Sequence, residues 1–292
     1  MRATRQMRTL GVTAAAVAAV CGCKPLPVGP PSGTMVASAG ANPVLGGGPV
    51  ARPPLAAPGE LMLYRVSLHG FELAEYSITV GDATTLEGSD VVVVQSAART
   101  TKVVAWFKPI EDIFTSWISR NDGRSVRFLS SERASKDDDR KETTEARTAA
   151  GQVTLQVTRG DERYDETQVI AGHGGHDLNS FLILLRGWEG EPGAHLDADV
   201  VRSRFVWRVR VKVIGYDNLS TALGNLPVAR YDGEGVRLVR DGTIDPASDV
   251  RRFSIWLTDD ADRVPVKLLA KTDYGDVTME LLSYRPGEAT AQ

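Results

Sequence analysis

Beyond residue 59, apolar and polar residues alternate along most of the chain with a period of two, the pattern of half-buried strands. It is clearest from Phe205 to Val213. There Phe205, Trp207, Val209, Val211 and Val213 fall on one face, and Arg208, Arg210 and Lys212 on the other. Successive side chains of a strand point to opposite faces, so one set meets a core and the other meets water. The same reading predicts strands over Leu61–Leu68, Phe71–Val80, Asp90–Ala98, Val126–Ser131, Gln152–Arg159, Arg251–Leu257, Val264–Ala270 and Asp276–Leu282. Gly81-Asp82, Asn121-Asp122-Gly123, Asp241-Gly242 and Tyr274-Gly275-Asp276 punctuate them as turns. Residues 111–119 read equally as strand or helix, and the charged run from Lys136 to Glu142 reads as a solvated hairpin tip.

One segment breaks the period. Asp177 can cap free N–H groups, a dense apolar run from Phe181 to Leu185 follows, and Gly187 ends it. This predicts one short, well-buried helix. The fold class is therefore mainly β, a curved antiparallel sheet packed on a single short helix, within one domain over residues 59–285.

The amino terminus follows another rule. Arg2, Arg5 and Arg8 precede an apolar run from Leu10 to Val20, and no acid occurs before residue 23. A charged opening, a short apolar stretch and small residues have the order of a signal peptide, here residues 1–22. The run is well short of the ~20 residues that span a bilayer as a helix. Val20-Cys21-Gly22-Cys23 resembles a bacterial lipobox, which marks Cys23 for diacylglycerol, although Cys21 stands where Ala or Ser is usual. Cleavage after Ala16-Val17-Ala18 would instead leave both cysteines on a soluble protein. Residues 24–58 hold nine of the fifteen prolines with six glycines and six alanines, and no aromatic or acidic residue. Such a stretch buries too little apolar surface to offset its ordering entropy, so residues 23–58 read as a lipid-anchored linker reaching roughly 30–35 Å.

Composition narrows the function classes. Without residues 1–22 the chain carries 31 basic and 37 acidic residues, which does not suit phosphate-backbone binding; nucleic acid is excluded as a partner. Both cysteines lie at or before residue 23, so no disulfide is expected in the lipidated form.

Three motifs follow in order along the chain. They are Gly59-Glu60 with Tyr64-Arg65-Val66, then Asp177-x-x-Ser180 leading to Leu185-Arg186. The last is Ile255-Trp256-Leu257-x-Asp259-Asp260 with Val264-Pro265-Val266 and Glu280-Leu281. In this order they resemble an exported bacterial family, the domain-of-unknown-function 3108 family. Asn179 before Ser180 and the acidic run at 137–139 depart from the pattern. The resemblance implies a half-open barrel against a helix, lipoprotein-carrier-like by analogy. It brings no catalytic residue.

Candidate chemistry is sparse. His173-Gly174-Gly175-His176-Asp177 could offer two imidazoles and a carboxylate to zinc, but two glycines do not fix such a geometry, and a helix cap explains Asp177. Asp259, Asp260 and Asp262 could meet calcium, but they lack the alternating spacing of an EF-hand loop, and a polar turn explains them. No metal or other cofactor is called for. The sequence has no Gly-x-Ser-x-Gly elbow and no phosphate loop beside a strand, so no catalytic residue is assigned. The stripe Arg208, Arg210 and Lys212 reads as a solvated face or as a contact for anionic head groups or an acidic partner.

The expectation is a non-catalytic envelope lipoprotein binding an apolar ligand or another envelope component. A protein–protein adaptor is the alternative, with an envelope-polymer hydrolase behind it. Its expected partners are a membrane through the lipid on Cys23 and a lipid or an envelope protein. Lys24 after that cysteine implies the outer membrane, facing the periplasm, in bacteria that retain lipoproteins by an Asp there.

Overall fold

The computed structural model describes residues 56–101, 104–105, 109–133, 141–170 and 175–288. The signal peptide, Cys23, the linker up to residue 55, residues 136–140 of the expected hairpin tip and His173 lie outside the described residues. Among the described residues, fifteen strands pair into one sheet that curves around helix α1 (Leu178–Gly187). The first eight are β1 (Leu61–Leu68), β2 (Phe71–Leu86), β3 (Ser89–Thr100), β4 (Glu111–Ser119), β5 (Ser125–Arg133), β6 (Lys141–Ala149), β7 (Gln152–Arg159) and β8 (Glu162–Val169). The rest are β9 (His176–Asp177), β10 (His195–Arg202), β11 (Phe205–Thr221), β12 (Gly224–Arg237), β13 (Arg251–Thr258), β14 (Pro265–Thr272) and β15 (Gly275–Arg285).

The order across the sheet is β8-β7-β6-β5-β4-β3-β2-β1-β15-β14-β13-β12-β11-β10-β9. Two meanders, each contiguous in sequence, therefore join along a single seam where β1 pairs with β15. Among the described residues every strand pairing is antiparallel except the short β9–β10 contact. The β8 edge comes round to the loop after β12: Val169 N donates to Arg240 O at 2.9 Å, and Arg240 meets Glu166 at 3.1 Å.

Alternation decides the packing. In β1 the residues Met62, Tyr64 and Val66 are buried while their neighbours are not, and β4 alternates over its whole length. Helix α1 fills the concavity, with Phe181, Ile183 and Leu185 buried in the main core beside Tyr64, Ile78, Val94, Val211, Tyr231 and Leu257. A second, smaller core gathers Phe114, Phe128, Leu155 and Val157 against Val201, Val206 and Leu238. The two cores interlock. Val200 and Trp207 belong to the first, and their chain neighbours Val201 and Val206 to the second.

Where structure and sequence differ, the reason is local. Gly81-Asp82 is not a turn: the register slips there, and β2 continues as a bulged strand to Leu86. Residues 111–119 form strand β4, since the neighbouring strands give each alternate residue a core. Strand β11 runs past Val213 through another bulge to Thr221. Strands β6 and β8 gave no apolar alternation to read, and that of β10, with Leu196, Ala198 and Val200 set against Asp197 and Asp199, spans only five residues. In β12 the pattern is broken by Gly233, where a Cβ would come within 2.3 Å of the Phe253 ring, so the ring takes the place of a side chain.

Candidate functional site

The three motifs singled out in the sequence meet at one end of α1. Arg186, in the last turn of the helix, donates to both carboxylate oxygens of Glu60, at 2.9 and 2.7 Å. Both side chains are buried, at 5% and 2% exposure. Tyr284 of β15 donates to the same carboxylate at 3.0 Å. Arg186 also donates to the carbonyl of Asp262, and Arg263 returns bonds to the carbonyls of Arg186 and Trp188 and reaches the Tyr231 hydroxyl. Tyr64 donates to the Pro265 carbonyl at 2.9 Å. Burial, together with the anionic Glu60 nearby, holds the phenols of Tyr64 and Tyr284 well above their ordinary range. The cluster thus ties the chain's entry, the helix end and the turn from β13 to β14 together. Its carboxylate has both oxygens engaged, so it holds structure rather than a free acid or base.

The other end of α1 is fixed as firmly. Asp177 caps it, accepting from the N–H groups of Asn179 and Ser180 at 2.8 Å each, while Ser180 Oγ accepts from Asp177 N at 2.8 Å. This is the reciprocal capping box. Ser125 Oγ donates to the remaining oxygen of Asp177 at 2.6 Å. Asn179, a departure from the family pattern, donates to Ser116 Oγ at 2.9 Å and Val94 O at 3.3 Å, tying the helix to β4 and β3. Burial raises the Asp177 carboxyl, and these donors oppose that rise. Between α1 and strands β1, β2 and β3 lies a cavity of about 10 Å³, lined by Glu60, Met62, Ile78, Val80, Leu182 and their neighbours.

A second constellation escaped the sequence reading. Tyr76, Ala98, Asp112, Glu132, Glu142 and Arg159 form one cross-strand row from β2 to β7. Three carboxyl groups directly opposite one another repel. The tight turn between β10 and β11 answers them. There Ser203, held at a φ of 52°, donates to Glu132, while Arg202 approaches Glu132 at 3.6 Å and Arg204 approaches Glu142 at 3.4 Å. Desolvation, then the charge of Glu132, pushes the Asp112 carboxyl up to about 7. Glu142 is also raised, chiefly by burial. No signal in the sequence joins these residues, because their alignment depends on the register of six strands.

The residues singled out from the sequence are placed as follows. Arg208 forms a two-pronged pair with Asp199 at 3.0 and 3.1 Å, and Arg210 with Asp197 at 2.7 and 2.9 Å. Lys212 lies opposite His195. The basic stripe therefore runs beside an acidic one on β10. His176 is buried, and desolvation lowers it to about 4; Asp177 serves the cap. Asp260 accepts from Thr258 Oγ1 and from the N–H groups of Asp262 and Arg263, which makes it the organiser of a polar turn.

A family model described as a protein of unknown function (DUF3108) matches residues 63–282, well over half of the chain. No match is found among curated proteins. Among solved structures, the fold is similar to a β-barrel-like protein of the domain of unknown function DUF1849 from Brucella abortus. That likeness has a TM-score of 0.51 at 10% identity and covers 80% of this chain and all of the other. A weaker likeness, TM-score 0.27 at 9% identity, is to the hypothetical lipoprotein YmcC from Escherichia coli K12, over 80% of this chain and 89% of that one.

Proposed function

The chain belongs to this DUF3108 family, and from that premise we propose that it is a non-catalytic, lipid-tethered protein of the bacterial envelope. Its domain acts through its outer surface on another envelope component rather than by carrying an apolar molecule inside the sheet. The observation that carries this reading is the filling of the concavity by α1. A cavity of about 10 Å³ has room for one water molecule and none for an acyl chain. The ionic cluster at Glu60 and Arg186 also locks the helix end in place, so opening the sheet would expose a buried ion pair. The tether reading rests on Val20-Cys21-Gly22-Cys23 and the proline-rich stretch behind it.

Two measurements test it. Mass spectrometry of the amino-terminal peptide should show a diacylglyceryl group on Cys23, and Cys23→Ser should release the protein from the envelope. Photo-crosslinking in intact cells should then give one dominant protein adduct. A stoichiometric lipid that co-purifies with the domain, with no protein adduct, would establish the carrier reading instead.

A further inference from the structure

Strand β8 is one edge of the sheet: β7 pairs with one side of it and, among the described residues, no strand pairs with the other. Two bonds at its end fix the direction of its backbone groups. Ile170 N donates to Gly151 O, toward β7, whereas Val169 N donates away from β7 to Arg240 O. The register with β7 runs without a slip, so Thr167, Asp165 and Arg163 also turn their N–H and C=O groups outward. Among the described residues no backbone group meets those three from that side.

Such an edge is a template for another strand, and proteins blunt it with proline, bulges or a very short strand. β8 has none of these devices over its eight residues. Its charges are of both signs instead. Arg163, Asp165 and Thr167 are exposed, while Tyr164 between them packs against the smaller core. Arg163 and Asp165 have no ion partner among the described residues.

The spacing of these charges is self-complementary. Two copies of β8 laid antiparallel about a two-fold axis at Tyr164 set Arg163 of each opposite Asp165 of the other. Opposed residues bring their Cβ atoms to about 5 Å. Asp161 then faces Thr167, and Glu162 faces Glu166, whose charge Arg240 balances at 3.1 Å. A slip of two residues in one direction would set Asp165 against Asp165, and in the other Arg163 against Arg163. A slip of one would bring outward backbone groups opposite inward ones. One register therefore satisfies both the backbone and the charges.

We propose that β8 is a dimerisation edge, through which two copies of this chain join their sheets by antiparallel β8–β8 pairing with reciprocal Arg163–Asp165 contacts. Main-chain bonds supply the attraction, and the opposed charges select a second copy and fix its register.

The test uses residues 24–292, which keep every described strand. Sedimentation velocity over a micromolar concentration series should show a reversible monomer–dimer equilibrium that added salt weakens. Arg163→Asp and Asp165→Arg each place like charges at both contacts. Each alone should weaken the dimer about ten-fold or more, with circular dichroism and thermal midpoint unchanged. An equimolar mixture of the two variants should recover the dimer, because both contacts then join opposite charges. The exchanged chain Arg163→Asp/Asp165→Arg should dimerise as well. A wild-type chain that stays monomeric, single variants that dimerise as the wild type does, or a mixture no better than its components would each overturn the proposal. Because this chain carries no lipid, the outcome is independent of whether Cys23 is modified.

Discussion

At the scale of single residues, buried charge dominates. Removing one partner of the Glu60–Arg186 pair strands the other in a dry site, so Arg186→Met should cost about 3–5 kcal/mol in urea denaturation. The double variant Glu60→Leu/Arg186→Met should cost less than the sum of its single changes, because no charge is left uncompensated. Asp112 makes a different prediction, about pH. Its carboxyl titrates at 3.8 when free and at about 7 when folded, so in that window the folded state keeps a proton that the unfolded state has released. It therefore withdraws stability as pH rises from about 4 to 7 and withdraws no more above that. His176 has the opposite slope: lowered from 6.5 to about 4, it costs stability as pH falls through that range. Asp112→Asn should thus gain stability over the wild type progressively from pH 4 to 7, as read from urea midpoints at a series of pH values. A flat difference would mean that Asp112 is ionised throughout.

At the scale of elements, α1 is held at both ends by side chains from several strands. Asp177→Ala removes the cap and leaves Ser125 without its acceptor, an expected loss of about 2–4 kcal/mol by thermal or chemical denaturation. Sequence alone made this helix legible because its signals are local: a capping Asp, a dense apolar run and a glycine. Strand β7 and most of β1, β13 and β14 were legible for the same reason, since period two is written in adjacent residues. Strands β6, β8, β10 and β12 were not. The side chains of β6 and β8 are polar and β12 is rich in glycine, while the alternation of β10 runs only from Leu196 to Val200. The stripe of Arg208 and Arg210 illustrates the loss, for its balancing acids Asp197 and Asp199 sit on the unrecognised β10. The acid row through Asp112, Glu132 and Glu142 was hidden more deeply, because only register aligns residues so far apart.

At the scale of the whole molecule, the two cores share strands and even successive residues. A change in either should therefore be felt by both. Leu155→Ala in the smaller core and Leu257→Ala in the larger one should each cost about 2–5 kcal/mol. Each should move a single calorimetric transition without splitting it. Two separated transitions in either variant would show that the cores unfold independently. The motifs of the family resemblance converged on the helix end because they come from the start, middle and end of the chain, which the sheet brings together.

The seam between β1 and β15 also sets an order in time. β1 is flanked by the strand that follows it and by the last strand of all. Emerging amino terminus first, the chain can form its first eight strands as successive hairpins, each closing onto the one before. One side of β1 stays bare until the final eleven-residue strand arrives. The domain therefore completes its sheet only when nearly all of its sequence is present. On the export proposed above, this late closure would act as a delay written into the topology.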